Sequence, residues 1–273
     1  MDEGRSSATA EGAALLRAAH QLFDTPPVFD DPLALRIVGE ASAAAVRADP
    51  QRFQTVERRA LRAFVALRSR YAEDRLAAAV ERGVRHYVIL GAGLDTFAYR
   101  NPHADVGLAV FEVDHPATQA AKRARLQEVG IAVPASLTFV PIDFERQTLA
   151  DGLHDAGFTT AERAFFSWLG ATAYLTRDSV MRTLGFVASG MPPGSEIVFS
   201  YATARSALAE RTAALSEPWL TLFDPPSLIA ELTDIGFADA TDFGPEQANE
   251  RYFSRRTDGL RLRGSGRMMA ARV

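Results

Sequence analysis

The stretch from Tyr87 to Arg100, Tyr-Val-Ile-Leu-Gly-Ala-Gly-Leu-Asp-Thr-Phe-Ala-Tyr-Arg, constrains the fold more than any other. Its first residues, Tyr87 to Leu90, run without a polar break into Gly91-Ala92-Gly93. A short continuous apolar run ending in glycines suits a strand buried on both faces, as in a parallel sheet. Gly91 and Gly93 carry no Cβ, so the backbone there can turn sharply and come close to a ligand. Ligands of open α/β sheets sit outside the carboxyl ends of such strands. The loop Gly91, Ala92, Gly93 is the expected seat of a cofactor.

The residues after the loop narrow the choice. The dinucleotide fingerprint G-x-G-x-x-G/A needs a third small residue for close helix packing, and here that place is Thr96, preceded by Asp95. A carboxylate at Asp95 opposes a pyrophosphate but tolerates a ligand carrying an ammonium and a sulfonium, such as S-adenosylmethionine (SAM). A nicotinamide-dependent oxidoreductase fits less well, because no hydride-transfer site is evident either.

At 273 residues the chain could hold one large α/β domain or two small ones. The absence of cysteine excludes disulfides, thiol nucleophiles and Cys-based zinc sites, and no metal is called for. A net charge of −4 argues against a nucleic-acid surface. No basic leader and no apolar run of membrane-spanning length is present, so a soluble, cytoplasmic protein without a membrane partner is expected. Lys122 is the only lysine in an arginine-rich chain, which reads as genomic base composition.

Residues 11–82 read as a helical cap. Glu11 to Phe23 has helical apolar spacing, and the prolines of Pro26-Pro-Val-Phe-Asp-Asp-Pro32 stiffen the connector that follows. Asp31 is placed to cap a helix that begins at Pro32. From Gln51 to Arg82 the pattern is strongly helical, with Phe53, Val56, Ala60, Phe64, Leu67 and Tyr71 on one face and a break expected near Tyr71.

Residues 84–273 alternate strand and helix. Leu108–Asp114 reads as a second strand ending in Glu112 and Asp114, which lie 19 and 21 residues beyond Gly93. An acid about 20 residues past the glycine loop is the expected ribose partner, and alternation puts both on one side of the strand. Leu137–Asp143 is a third strand, where Asp143 beside Phe144 suits an adenine amino group and ring. Arg163–Leu169 and Glu196–Tyr201 follow as strands four and five, and 237–243 and 266–273 close the sheet. Helices are expected over 117–129, 178–189, 202–215 and 227–235. The regular alternation implies a doubly wound, mostly parallel α/β sheet in a single domain, with a substrate loop near 202–226.

Taken together, Val88-Ile-Leu-Gly-Ala-Gly-Leu-Asp-Thr-Phe-Ala-Tyr-Arg100, Phe111-Glu-Val-Asp-His-Pro116 and Pro141-Ile-Asp-Phe144 carry a resemblance. So do Ser167-Trp-Leu-Gly170 with Tyr174-Leu-Thr176, Pro192-Pro-Gly-Ser195 and Glu217-Pro-Trp219. The chain resembles the leucine carboxyl methyltransferase family of class I SAM-dependent methyltransferases, and most of all its bacterial branch. The resemblance implies a Rossmann-like core in which Gly91 and its neighbours cradle the methionine part of SAM. It implies that Asp114, with Glu112 second, holds the ribose and that Asp143 and Phe144 frame the adenine. An arginine before the glycine loop is implied as partner of the SAM carboxylate; Arg68 and Arg70 are the candidates, with Arg70 preferred. Several relatives carry a glutamate where this chain has Leu169, which leaves an inherited acceptor specificity open.

Methyl transfer from a sulfonium needs an aligned acceptor, exclusion of water and removal of any acceptor proton. A carboxylate is already ionised at neutral pH and needs no general base. A hydroxyl needs one, for which His115 and Tyr174 are the candidates. Carboxyl O-methylation of a small organic acid is the first expectation and hydroxyl O-methylation the second. A catalytically silent SAM-binding protein is the alternative from another class. The acceptor is expected among Tyr174, Tyr201, Trp219 and Phe223, in a mostly apolar pocket.

Overall fold

The computed structural model describes residues 7–204, 207–214 and 216–273. Its strands are β1 (His86–Leu90), β2 (Ala109–Asp114), β3 (Leu137–Pro141) and β4 (Ala164–Trp168). They continue with β5 (Glu196–Ala202), β6 (Asp239–Phe243) and β7 (Gly266–Arg272). They form one seven-stranded sheet in the order β3-β2-β1-β4-β5-β7-β6. The pairs within β3-β2-β1-β4-β5 are parallel, and β7 runs antiparallel to both β5 and β6. The chain leaves β1 toward β2 on one side and returns to β4 on the other. That reversal places a crevice at the carboxyl ends of β1 and β4, the usual ligand position in such sheets.

Strand β1 shows why its sequence has no polar break. Val88 and Leu90 pack into a core shared with Phe166, Leu184 and Leu228, whereas Tyr87 and Ile89 pack into a second core with Leu67, Tyr71 and Leu76. Both faces are dry, and each fully buried large apolar side chain contributes about 1.5–3 kcal/mol.

The cap consists of α1 (Ala8–Phe23), α2 (Ala34–Ile37), α3 (Glu40–Ala48) and α4 (Val56–Glu81). The helix expected from Pro32 is only the short α2. Asp31 accepts from Leu33 N at 3.0 Å, and Gly39, with φ of +83°, separates α2 from α3. The break expected near Tyr71 does not occur. Helix α4 runs unbroken for 26 residues because Ala72-Glu-Asp-Arg75 contains no Gly or Pro, and Tyr71 stacks on Phe243 at 4.5 Å.

Helices α5 (Pro116–Glu128), α6 (Leu149–Asp155), α7 (Arg177–Gly190), α8 (Ala207–Ala214), α9 (Pro225–Asp234) and α10 (Pro245–Ala248) complete the chain. The helix expected over 202–215 is seen as α8; Arg205, Ser206 and Leu215 lie outside the described residues, and Ala202 ends β5. Several starts follow their capping chemistry. Ser7, Thr55, Thr176 and Asp224 each accept a backbone N–H of the first turn they precede. Among the described residues no helix is long and apolar enough to cross a membrane.

A buried network ties the cap together. Arg62, wholly buried, donates to Asp24 from Nε at 2.6 Å and from Nη2 at 2.7 Å, and to the Phe53 carbonyl at 2.6 Å. His20 Nε2 accepts from Val28 N at 2.9 Å, so its proton sits on Nδ1, which donates to Asp24 at 2.7 Å. Burial alone would raise the Asp24 carboxyl, but the bonds from His20 and Arg62 outweigh it and hold it at about 2.

Candidate active site

The glycine loop opens the site. Gly91 and Gly93 adopt φ of +63° and +46°, a backbone conformation that side chains disfavour. Gly91 N and Ala92 N donate to the Val113 carbonyl at 2.8 and 3.2 Å, which folds the loop back against the end of β2. A Cβ at Gly91 would meet that of Ala171 at 2.9 Å, and one at Gly93 would meet that of Ala10 at 3.1 Å. The loop is thus squeezed between the segment after β4 and the roof helix α1.

A cavity of about 640 Å³ lies over this loop. Its floor is Gly91–Asp95 and Asp114, its far end is Asp143 and Phe144, and its roof includes Ala10, Ala13 and Arg17 of α1. The roof is fastened by Arg17, whose Nη2 donates to the Leu94 carbonyl and whose Nε donates to Asp31, both at 2.6 Å. Asp31 in turn accepts from Thr96 Oγ1 at 2.8 Å. Thr96, which spoils the dinucleotide fingerprint, is therefore a buried joint between cap and loop.

Asp114 reaches the cavity from the end of β2. It accepts from Gly93 N and, at 2.7 Å, from His115 N. Burial raises its pKa while these two backbone donors act the other way. Glu112 does not line the cavity, contrary to the alternation argument. It is 1% exposed and pairs with Lys122 Nζ at 2.7 Å, with Tyr99 OH at 3.2 Å. Burial pushes its carboxyl up to about 7 even with that partner. The one lysine of the chain is thus the counter-charge of a buried acid.

Asp143 and Phe144 stand together as expected, with Phe144 tilted against Trp168 at 5.6 Å. Asp143 Oδ1 accepts from Glu145 N, and Glu145 accepts from Thr176 N and the Ser179 hydroxyl at the start of α7. Asp95 lines the cavity and accepts from Phe97 N at 2.8 Å. His115 also lines it, with Nδ1 accepting from Ala117 N at 3.3 Å as the cap of α5.

The preferred arginine is corrected by the geometry. Arg70 faces solvent with 48% of its side chain exposed and pairs with Asp74 at 2.7 Å, outside the cavity. Arg68 lines it instead, extending across Gly170, whose missing side chain makes the room. Desolvation lowers the Arg68 pKa to about 10, with Tyr174 and Asp95 pulling the other way and Arg17 adding to the decrease. No carboxylate pairs with it among the described residues.

A second cavity of about 350 Å³ adjoins the first, over the ends of β4, β5 and β7. Leu61, Arg68, Gly170 and Tyr174 border both. Phe64, Tyr201 and Trp219 supply its aromatic wall, and Arg263 and Glu57 stand on its lining. Of the four aromatics expected around an acceptor, Tyr174, Tyr201 and Trp219 are there. Phe223 is not: it is 3% exposed in the core beneath, edge-on to Tyr201 at 6.3 Å. Gly170 lies in the segment Gly170–Tyr174 expected to reach the acceptor, whereas sequence reasoning missed Phe64 and Arg263. Phe64 had a visible signal, an apolar helix position; Arg263 had none.

The geometry leaves two groups open to a ligand: Arg68, which has no carboxylate partner among the described residues and suits one, and Asp114, whose oxygens can accept from hydroxyls. Comparison with known proteins gives the family. The sequence model of the family described as "Leucine carboxyl methyltransferase" matches residues 10–188, more than half of the chain. The YktD protein of Bacillus subtilis (strain 168), provisionally named a S-adenosyl-L-methionine-dependent methyltransferase, is 34% identical over 95% of both chains. A Mycobacterium marinum protein with the same provisional name is 29% identical, over 80% of this chain and 74% of its own. Among solved structures, a DUF574 family protein of Streptomyces avermitilis shares the fold with a TM-score of 0.58 at 16% identity, covering 96% of each chain.

Proposed function

The chain belongs to the leucine carboxyl methyltransferase family and is a SAM-dependent methyltransferase, and from that premise we propose that it methylates a carboxylate of a small organic acid held in the second cavity. SAM, when bound, supplies an electrophilic methyl group on a positively charged sulfur. Gly91–Gly93 and Arg68 would hold its aminoacyl end, Asp114 its ribose, and Asp143 with Phe144 its adenine. The acceptor would then approach from the neighbouring cavity.

One observation carries the choice of acceptor: among the described residues, those common to both cavities, Leu61, Arg68, Gly170 and Tyr174, include no carboxylate and no imidazole. Burial raises the Tyr174 pKa, so its phenol keeps its proton. Tyr201 OH donates to Asp242 at 2.5 Å, and His115 lines the first cavity only. A hydroxyl acceptor at the junction finds no side chain ready to take its proton among these described residues, whereas a carboxylate has no proton to lose. What the chain contributes is alignment and exclusion of water by α1 and the aromatic wall.

Labelled SAM and a panel of aryl and alkyl carboxylic acids, matched alcohols and a leucine-terminated peptide test this reading. Base-labile methyl esters on the small acids are expected. Transfer to the alcohols alone would replace the carboxylate reading, and transfer to the peptide alone would replace the small-molecule one.

A further inference from the structure

We propose that Glu217 is a positioning residue that latches the roof of the cofactor cavity, acting through the backbone of α1 rather than on the cofactor. This rests on the placement of SAM in the first cavity. Glu217 belongs to Glu217-Pro218-Trp219, whose tryptophan walls the second cavity and whose glutamate is given no part in the reaction itself.

The contact is specific. Glu217 Oε1 accepts from Ala8 N and Oε2 from Thr9 N, each at 3.1 Å, and Ser7 Oγ accepts from Ala10 N at the same distance. Three first-turn N–H groups of α1, which a helix cannot satisfy internally, thereby find partners. A carboxylate at this end is also favoured by the helix dipole. The same turn roofs the cavity: Ser7, Ala8, Thr9 and Ala10 line it, and Ala10 is the residue pressed against Gly93.

The other side of the latch is anchored to the sheet. Leu220 N donates to the Ala173 carbonyl at 2.7 Å, Thr221 Oγ1 to that of Leu175 at 2.7 Å, and Phe223 N to that of Ala202 at 3.0 Å. The strap from Glu217 to Phe223 is thus fixed to the segment after β4 and to the end of β5. It carries Trp219 into the wall of the second cavity on its way. The hooking bonds themselves are partly exposed, so they can open and close without disturbing the core.

The test is stopped-flow measurement of S-adenosylhomocysteine binding by wild type, Glu217→Ala, Ala8→Pro and the double variant. Ala8 is the first residue of α1, where proline suits the helix and only removes the donor; Ser7 before it is already extended, at φ −65° and ψ 118°. Both single variants are expected to release the ligand about tenfold faster, the usual scale of a charge-assisted contact, with unchanged association rate and apo-protein melting temperature. The double variant should be no worse than Glu217→Ala alone, because the bond lost in Ala8→Pro is one of the two that Glu217→Ala already removes. Faster release in Glu217→Ala but not in Ala8→Pro would mean that Glu217 touches the ligand directly, which overturns the latch. Unchanged release in both also overturns it. Wild type failing to bind S-adenosylhomocysteine at all would instead remove the cofactor placement on which the latch depends.

Discussion

Arg68 lies across the bare Cα of Gly170, on the border shared by the two cavities. Gly170 adopts φ of +79°, so the position favours glycine twice, once for backbone and once for space. Replacing Arg68 by alanine should weaken S-adenosylhomocysteine binding by roughly ten- to a hundredfold, the scale of a lost hydrogen-bonded charge pair. Arg70→Ala should leave it unchanged, since Arg70 is occupied by Asp74 outside the cavity. Calorimetry on both variants checks this, and equal losses would return the choice to Arg70.

Asp114 is the acid expected to hold the ribose, and its two oxygens already fix Gly93 N and His115 N. Asp114→Ala should weaken cofactor binding by about ten- to a hundredfold in a folded protein. Glu112→Gln should act on stability, because Glu112 faces Lys122 inside the protein. Breaking one side of a buried pair costs on the order of 3–5 kcal/mol. Pairing Glu112→Gln with Lys122→Met should restore much of that loss in chemical denaturation. Unchanged cofactor affinity in Asp114→Ala would sink the ribose assignment.

Asp24 predicts an acid limit for the cap. Its folded pKa of about 2 lies below its ordinary value of 3.8, so the native state binds the proton less tightly than the unfolded chain. The contribution is therefore present above pH about 4 and is lost as pH falls through about 2, and it amounts to about 2 kcal/mol. Asp24→Asn should lower the melting temperature at pH 7, because Arg62 loses its partner, and the gap to wild type should narrow toward pH 2. A gap that stays constant across that window would contradict the assignment.

The parts of the site that were legible in the sequence are those made by neighbours in the chain. The buried β1, the turn at Gly91–Gly93 and Asp114 at the end of β2 all follow from local pattern. Arg68 and Arg70 differ by about 200° around an α-helix, so choosing between them needed the phase of α4 against the sheet. A cue was present: Arg68 follows Phe64 by four and precedes Tyr71 by three, which puts it on the apolar face. Glu112 and Phe223 were misplaced for another reason. Their surroundings are set by distant elements, Lys122 on α5 and Tyr201 on β5, that no short stretch of sequence announces.

Trp219 and Phe223 sit four residues apart on one strap and should answer to opposite tests. Trp219, 8% exposed, packs with Ala202, Ala209 and Tyr174 and forms part of the second cavity's wall. Phe223 is sealed in the core below, with Tyr201 on one side and the Arg177 guanidinium 4.9 Å from its ring centre. Trp219→Ala should therefore raise the KM for a methylated acid by roughly tenfold, an aromatic contact of about 1.4 kcal/mol, and leave S-adenosylhomocysteine affinity almost unchanged. Phe223→Ala should cost about 3–5 kcal/mol of stability through the cavity it leaves, without a selective effect on the acceptor. Steady-state kinetics and denaturation on the two variants separate these outcomes. If Trp219→Ala weakened cofactor and acceptor equally, its ring would have to be assigned to the cofactor cavity, and the second cavity would lose its main wall as an acceptor site.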